Sequence, residues 1–255
     1  MSSNTSNTSP TIAFFGSTGG CTLAALIQSL KAGYACRCLV RTPAKLSALL
    51  NPPNSNPSNA PVPTENLTII PGSIDDPSAV SSTIKGATII IFGIGGAPVF
   101  SWNPLNCFVT LNDPTICERG IKAVLAVLDS ASPKDRSGPQ PLICCISSTG
   151  LKESGQRDLP TAMRPLYRLL KVPHEDKKKM EAAVRGSGRE FVVVRPALLT
   201  DGQEAGRVRA GYEGGEKGEA VGYTVSRRDV GGWIFREVVE GRGGEWRGRG
   251  VSLAY

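Results

Sequence analysis

The sequence has few of the features that mark membrane proteins and metalloproteins. No stretch of about 18 uninterrupted apolar residues occurs, so we expect no membrane span. The single histidine and the seven cysteines show no spacing of the kind that binds zinc, so we expect no metal site. Residues 1–10 are polar and lack the apolar centre of a signal peptide, which predicts a disordered tail on a cytoplasmic protein.

The charge of the chain gives little support for nucleic-acid binding. The formal net charge is +7, and residues 160–185 supply +4 of it, with seven Lys and Arg against three acidic residues. No aromatic interleaving or nucleic-acid motif accompanies these cations. We expect either a solvated helix face or a surface that steers an anionic cofactor towards a cleft, and no nucleic acid as partner.

Apolar runs and helical patterns alternate along the chain. Short apolar runs predict strands at 11–15, 34–40, 66–70, 87–96, 141–146 and 190–196. Amphipathic spacing predicts helices that end near Gly33, cover 43–50 and 77–84, begin at Asp113, and cover 161–171 and 175–186. This alternation predicts an α/β fold, a doubly wound parallel sheet in one domain over 11–255 with a small C-terminal extension.

Two segments interrupt the alternation. Residues 51–64 hold five prolines and four asparagines, which is too little apolar content for a core and predicts a mobile surface loop. Residues 97–113 are irregular and aromatic. Phe100, Trp102 and Phe108 in this segment predict either a lid over a flat apolar substrate or a satellite core beneath a long loop.

The segment FFGSTGGCTLAAL, residues 14–26, places three glycines where the first strand ends and the first helix begins. A plain turn needs only one glycine. Several glycines let backbone N–H groups approach a pyrophosphate, which then lies at the positive end of the helix dipole. The predicted contacts of this dinucleotide loop are Gly16, Gly19, Gly20 and Cys21, with further contacts from the hydroxyls of Thr18 and Thr22.

The end of the second strand predicts which nicotinamide cofactor binds. NAD enzymes place a carboxylate there, about 20 residues after the glycine loop, to bind the ribose hydroxyls. This chain has Arg41 at that place and Lys45 one helical turn later, with no carboxylate from Gln28 to Leu50. Because a guanidinium can bind a 2′-phosphate with two charge-assisted hydrogen bonds, the sequence favours NADP(H).

The pattern GxxGxxT at residues 16–22, with RP after the sixth strand, resembles the atypical short-chain dehydrogenase/reductases, which include NmrA-like proteins. Within that group YRLLKVPHEDKKKMEAAVRGSG, GYTVSRRDVGGWIF and VSLAY resemble the averufin oxidase A family of fungal polyketide pathways. Thr22 departs from the wider group, which has a third glycine there. The resemblance implies a Rossmann fold and further cofactor contacts from Ser73, Ile74, Gly93 and Gly95.

The same resemblance implies a serine and a tyrosine that polarise a carbonyl, with a lysine four residues after the tyrosine. Ser148 closes the fifth strand, at the sheet edge where ligands bind in such folds. Tyr167 and Lys171 form a literal YxxxK. The proton donor and its lysine partner are therefore predicted, on this spacing, to be these two residues.

A second interpretation places the proton donor on the next helix. Counting back from SGREFVVVRP leads to PHEDKKKMEAAVRGSG, with His174 and either Lys177 or Lys178 near the expected places. Histidine titrates near neutral pH and can donate a proton. The alternative is that this single histidine only begins a helix or lies at the surface.

These residues predict an NADP(H)-dependent oxidoreductase, and the resemblance implies an aromatic polyketide-type carbonyl or quinone as its substrate. Two alternatives stay open. The first is a non-catalytic dinucleotide sensor of the NmrA type, and the second is an enzyme that uses the same fold for ring opening or isomerisation.

Overall fold

Strands and helices alternate in the computed structural model, which describes residues 10–52, 61–100, 109–130, 140–151, 159–168, 170–216 and 218–255. The strands are β1 (Thr11–Phe15), β2 (Ala35–Val40), β3 (Leu67–Pro71), β4 (Ala87–Phe92), β5 (Pro98–Phe100), β6 (Val109–Leu111), β7 (Leu142–Ile146), β8 (Phe191–Pro196), β9 (Leu198–Thr200), β10 (Arg209–Tyr212), β11 (Thr224–Ser226) and β12 (Arg249–Ala254). The α-helices are α1 (Gly20–Lys31), α2 (Pro43–Leu50), α3 (Pro77–Ile84), α4 (Ile116–Ser130), α5 (Arg164–Arg168), α6 (Lys171–Gly186) and α7 (Arg227–Trp233). A π-helical stretch, Ile234–Glu240, continues α7, and 3₁₀ turns cover Thr161–Met163 and Gly244–Trp246.

Eight strands form one sheet in the order β10-β12-β8-β7-β4-β1-β2-β3. The chain begins at β1 in the middle, winds outward through β2 and β3, and then returns to β4 and winds the other way. All neighbours in the sheet are parallel except β10 and β12, which pair antiparallel at one edge. The predicted doubly wound parallel sheet is confirmed, and its winding reverses between β1 and β4, the place where such sheets bind ligands.

Helices bury both faces of the sheet. Ile12 and Phe14 of β1 belong to a core that α1, α2 and α7 cover, whereas Ala13 and Phe15 face a core that α3, α4 and α6 cover. All four side chains are fully buried. Because β1 is covered on both sides, its sequence is almost continuously apolar and does not alternate between apolar and polar residues.

The first part of α4 differs from the prediction. Asp113 does not cap this helix; its Oδ1 accepts a hydrogen bond from the Thr115 amide (3.1 Å) in a turn, and the helix begins at Ile116. The amides of Cys117 and Glu118 instead donate to the buried carboxylate of Asp176 on α6, each at 2.9 Å. A side chain distant in sequence thus satisfies the free amides of the helix start, which local spacing could not indicate.

Helix boundaries near residue 170 also differ from the prediction. The sequence predicts helices over 161–171 and 175–186, whereas α5 ends at Arg168 and α6 already begins at Lys171. Pro173 lies in the first turn of α6, where a missing N–H costs nothing. The predicted helix that would carry Tyr167 and Lys171 together is therefore wrong.

The predicted tail, loop and lid lie largely outside the described residues, which leave out 1–9, 53–60 and 101–108. Trp102 and Phe108 of the predicted lid are among them. The two arms of that segment are not irregular, because β5 and β6 pair antiparallel. Within the described ranges, no helix combines the length and apolar character that a membrane crossing requires.

Candidate dinucleotide site and active site

A cleft of about 640 Å³ opens at the carboxyl ends of β1, β2, β3 and β4, beside the reversal of the sheet winding. Nine of the residues predicted to bind the cofactor line it, namely Gly16, Thr18, Gly19, Arg41, Lys45, Ser73, Ile74, Gly93 and Gly95. These residues come from four separate segments. The structure therefore brings together a set that the sequence predicted from two independent signals, the glycine loop and the end of β2, and from the resemblance.

Two glycines of the cleft allow a close approach between loops. Gly16 has φ +84°, and a Cβ there would lie 2.7 Å from the Gly93 carbonyl oxygen. The Gly19 amide donates to the Gly16 carbonyl at 2.8 Å, which closes the turn before α1. At Gly93 a Cβ would collide with Thr22 Oγ1, so the threonine that replaces the family's third glycine is accommodated by a glycine opposite it.

The start of α1 fits the diphosphate of a dinucleotide. Gly19 is its N-cap and provides no side-chain hydrogen bond, and the first turn contains no acidic residue. The first-turn amides and the helix dipole therefore remain available for an anion. Ser17, which also lines the cleft, has a fully buried hydroxyl without a hydrogen-bond partner among the described residues.

Gly20, Cys21 and Thr22 were predicted with this loop but do not line the cleft. Gly20 faces Arg227, because a Cβ placed at Gly20 would lie 3.2 Å from the Cβ of Arg227. Cys21 is buried, and burial raises the pKa of its thiol to about 12, although the nearby charges of Arg227 and Lys177 oppose this rise. Their contribution is thus limited to the backbone of the first helical turn, and their contact with cofactor stays a prediction.

Cations outnumber carboxylates by three to two among the residues that line the cleft. Arg41 and Lys45 are exposed at the end of β2 and the start of α2, and no acidic side chain in the described part of the chain forms a salt bridge with either. The two carboxylates of the lining, Asp75 and Asp113, both pair with Arg119 of α4. Arg119 was not predicted. Arg119 offsets the charge of only one of these two carboxylates, whereas both cations at β2 remain for an anionic ligand.

The carboxyl end of β7 presents three consecutive hydroxyl side chains. Ser147 is buried and donates to Glu181 Oε1 at 2.6 Å, whereas the candidate Ser148 is half-buried. The Thr149 hydroxyl lies 3.2 Å from the Tyr167 hydroxyl. The segment after β7 thus offers one accessible serine between two serine or threonine hydroxyls that already have partners.

The two rival proton donors are neighbours. Tyr167 and His174 are both buried, and their ring centroids lie 5.4 Å apart at an interplanar angle of 42°. Tyr167 lies on α5, whereas His174 lies in the first turn of α6, so the contact joins two separate helices. Thr149, Tyr167 and His174 therefore belong to one cluster at the carboxyl edge of the sheet, and Ser148 directly precedes Thr149 in the chain.

Two of the candidate lysines are exposed, and a third reaches the sheet. Lys171 is exposed and lies on a different helix from Tyr167, and Lys178 is exposed and pairs with Glu175 at 3.4 Å. Lys177 instead reaches the sheet, where its Nζ donates to the Ile146 carbonyl at 2.8 Å. Of the two lysines that fit the count from β8, the structure places Lys177, not Lys178, at the end of β7.

A buried ionic network beneath these residues was not predicted. Glu181 of α6 accepts from Arg195 Nε (3.0 Å) and Nη2 (2.5 Å), and also from Ser147. Helical spacing carried a signal for the inward face of α6: Lys177 precedes the fully buried Met180 by three residues and Val184 by seven. No metal cluster of three His, Cys, Asp or Glu occurs in the part of the chain that the structure describes.

Comparisons with known proteins identify the family of the chain. A family model of NAD(P)H-binding proteins matches residues 16–240. A reductase of Aspergillus terreus, pytE, is 40% identical over 275 residues, which cover 98% of this chain and 100% of that protein. An oxidase of Aspergillus niger, pynE, is 36% identical over 287 residues, which cover 96% of this chain and 98% of that protein.

Solved structures show the same fold. A short-chain dehydrogenase/reductase of Veillonella parvula, in complex with NADP, has a TM-score of 0.67 at 14% identity, covering 96% of this chain and 94% of that one. The chain therefore belongs to the NAD(P)H-binding family, has the fold of the short-chain dehydrogenase/reductases, and is an oxidoreductase that uses a nicotinamide dinucleotide.

Proposed function

We propose that this oxidoreductase prefers NADP(H) and acts on a carbonyl or quinone of a flat aromatic, polyketide-type compound. The observation that carries the proposal is the pair of cations at the end of β2. Arg41 and Lys45 line the cleft, are exposed, and have no salt bridge within the described residues. A 2′-phosphate is the group of NADP(H) that such a pair would bind.

The preference follows from what each side chain can bind. A carboxylate at this place accepts hydrogen bonds from the two ribose hydroxyls of NAD, but it repels a phosphate. A guanidinium can donate two parallel hydrogen bonds to phosphate oxygens, and a lysine adds a point charge. Asp75 and Asp113 pair with Arg119 and not with Arg41, so neither carboxylate competes directly with a phosphate for the Arg41 guanidinium.

The chain's own residues would supply orientation and proton transfer, whereas the bound dinucleotide supplies or accepts the hydride. Ser148 lies at the end of β7, where its hydroxyl can donate a hydrogen bond to a substrate oxygen. His174 or Tyr167 then moves the proton, because both lie in the same cluster. We favour His174, since counting back from SGREFVVVRP places it near the expected position of the proton donor.

One observation supports the redox chemistry, and another supports the substrate class. The Aspergillus relatives carry the names reductase and oxidase, which fits redox chemistry on an organic group in either direction. The resemblance to the averufin oxidase A family favours an aromatic polyketide. The aromatic residues predicted to form the lid would suit a flat ring, although Trp102 and Phe108 lie outside the described residues.

The test measures NADPH oxidation against a panel of anthraquinones and naphthoquinones, with NADH as the matched cofactor. We expect turnover of at least one quinone, with NADPH preferred by about tenfold or more, as two charge-assisted bonds to a phosphate allow. A non-catalytic sensor would bind NADPH without turning over any compound. An isomerase would convert its substrate while the absorbance of NADPH stayed constant.

A further inference from the structure

One cation beside the dinucleotide loop has no role in the site so far. Arg227 is the first residue of α7, and its side chain lies over Gly20, the first residue of α1. A side chain at Gly20 would collide with Arg227 Cδ and lie 3.2 Å from its Cβ and 3.3 Å from its Cγ. Gly20 is thus the glycine that makes room for an arginine at the helix start where the dinucleotide loop ends.

The backbone fixes the position of this arginine. Helices α1 and α7 pack closely, because a Cβ at Gly231 would lie 2.7 Å from the Cys21 carbonyl oxygen. Ser226 caps α7 by accepting from the Asp229 amide at 3.0 Å. The stem of Arg227 is therefore held between two packed helices and is not a freely moving surface side chain.

The same cluster attaches the loop after β9 to α7. The buried Asp229 carboxylate accepts from the Ala205 and Gly206 amides, each at 2.9 Å, and from the Ser226 hydroxyl at 2.7 Å. Asp201, at the start of this loop, pairs with Arg227 Nη1 at 2.7 Å. The anion that now faces Arg227 thus comes from a segment that α7 itself anchors.

This ion pair is suited to exchange. The side chain of Asp201 is 88% exposed, and ion pairs at such exposure contribute little to stability. The guanidinium meanwhile lies close enough to the first turn of α1 that its charge opposes the rise in the pKa of Cys21 that burial causes. A second anion at the free amides of that turn would lie within the field of Arg227.

We propose that Arg227 is a further cofactor-binding residue, and that its guanidinium exchanges the Asp201 carboxylate for the diphosphate of the nicotinamide dinucleotide at the start of α1. Asp201 holds the guanidinium extended over Gly20 until the dinucleotide arrives. This inference rests on the proposed function in one respect only, namely that the dinucleotide binds at the first turn of α1. It does not depend on the preference for NADPH or on the substrate.

The diphosphate is common to NADPH and NADH, which separates this role from that of Arg41. The test measures dissociation constants by calorimetry for NADPH, NADH and adenosine 2′-monophosphate, which has the 2′-phosphate but no diphosphate. In Arg227→Met we expect both dinucleotides to bind about tenfold more weakly. The variant loses one charge-assisted hydrogen bond to the diphosphate, and part of that loss is offset because the dinucleotide no longer has to displace Asp201. Binding of adenosine 2′-monophosphate should change by less than about twofold, since it makes no contact that Arg227 supplies.

Arg228→Met is the matched control, because Arg228 is the next residue and is exposed, and the substitution removes the same charge. It should leave all three constants unchanged. Asp201→Asn is a second variant at an exposed position, and we expect it to tighten both dinucleotides by about two- to fivefold, because the competing anion is gone.

Dinucleotide constants within twofold of the wild type in Arg227→Met would overturn the proposal, as would an equal loss for adenosine 2′-monophosphate. If Arg227→Met does not fold, unchanged or weaker dinucleotide binding in Asp201→Asn overturns it instead. Failure of the proposed function is distinguishable, because a wild-type protein that binds NADH as tightly as NADPH contradicts only the preference, and one that binds neither contradicts both.

Discussion

The dinucleotide half and the reaction half of the site are assembled in different ways. Residues of the dinucleotide half come mainly from one continuous β1–α1–β2 unit, in which Gly16 and Arg41 are 25 positions apart. In the reaction half, the end of β7, helix α5 and helix α6 each contribute one or two side chains. The first half depends on backbone geometry, and the second depends on contacts between side chains of separate elements.

This difference determines how each half should respond to substitution. Backbone amides at a helix start need space, so any side chain that fills that space affects every dinucleotide alike. A side-chain cluster responds residue by residue, and close neighbours can have very different effects on rate. The comparison therefore predicts binding defects in one half and rate defects in the other.

The largest effect is expected at His174. Replacing this general acid by alanine should lower kcat by about 10²–10⁴-fold, the usual contribution of proton transfer, while NADPH affinity is retained. Tyr167→Phe should cost less than about tenfold, equivalent to about 1.4 kcal/mol. Steady-state kinetics with a quinone from the panel, and NADPH titration by fluorescence, measure the two quantities.

The reverse ranking of these two variants would assign proton transfer to Tyr167. Because the rings are 5.4 Å apart, loss of either could disturb the other, and near-ultraviolet circular dichroism of each variant controls for that. Losses below threefold in both would show that neither donates the proton and that placement of the cofactor alone accounts for the rate.

The next effect concerns the backbone half. A Cβ at Gly19 would lie 3.2 Å from the Gly16 carbonyl oxygen, so Gly19→Val adds a branched side chain at the turn and in the cleft. We expect affinity for NADPH and for NADH to fall together by about 100-fold, or about 2.7 kcal/mol. Calorimetry measures binding, and far-ultraviolet circular dichroism checks that the sheet is intact. Unchanged affinity in the folded variant would make the loop a plain turn.

The same contrast explains what the sequence could predict. The six principal strands, the glycine loop and Arg41 are local patterns, and the structure has them within about one residue of the predicted bounds, apart from the early end of β4. The short strands β9 and β11 have no such pattern, because they pair with each other across a long stretch of sequence.

Local spacing misled the prediction where tertiary contacts decide. The YxxxK of Tyr167 and Lys171 assumes one helix, but the chain breaks between α5 and α6 and leaves Lys171 exposed. Asp113 matches the pattern of an N-cap, yet Asp176 takes that role from another helix. In both places the sequence matches a local rule, and a contact with a distant element overrides it.

A moderate and selective effect is expected at Arg41. If its guanidinium binds the 2′-phosphate, Arg41→Ala should weaken NADPH by about 1.5–3 kcal/mol, the range for hydrogen bonds to charged groups, and leave NADH nearly unchanged. Lys31→Ala, a cation on an exposed helix end away from the cleft, is the control. Calorimetric titration of both dinucleotides decides the matter, and equal losses for the two would remove Arg41 from the phosphate site.

The smallest and sharpest comparison is between adjacent lysines of α6. Lys177 Nζ donates to the Ile146 carbonyl at the end of β7, whereas Lys178 only forms an exposed pair with Glu175. Lys177→Met keeps the stem and removes the charge, so we expect kcat/KM to fall by about tenfold through the loss of one charged hydrogen bond. Lys178→Met should change it by less than about twofold, since exposed pairs contribute little.

Kinetics of the two lysine variants under identical conditions measure the ratio of their kcat/KM values, and thermal unfolding shows whether Lys177→Met merely loosens α6. If Lys178→Met is the more damaging variant, the register of α6 against β7 differs from the one described, and the assignment of His174 to the same cluster loses its main support.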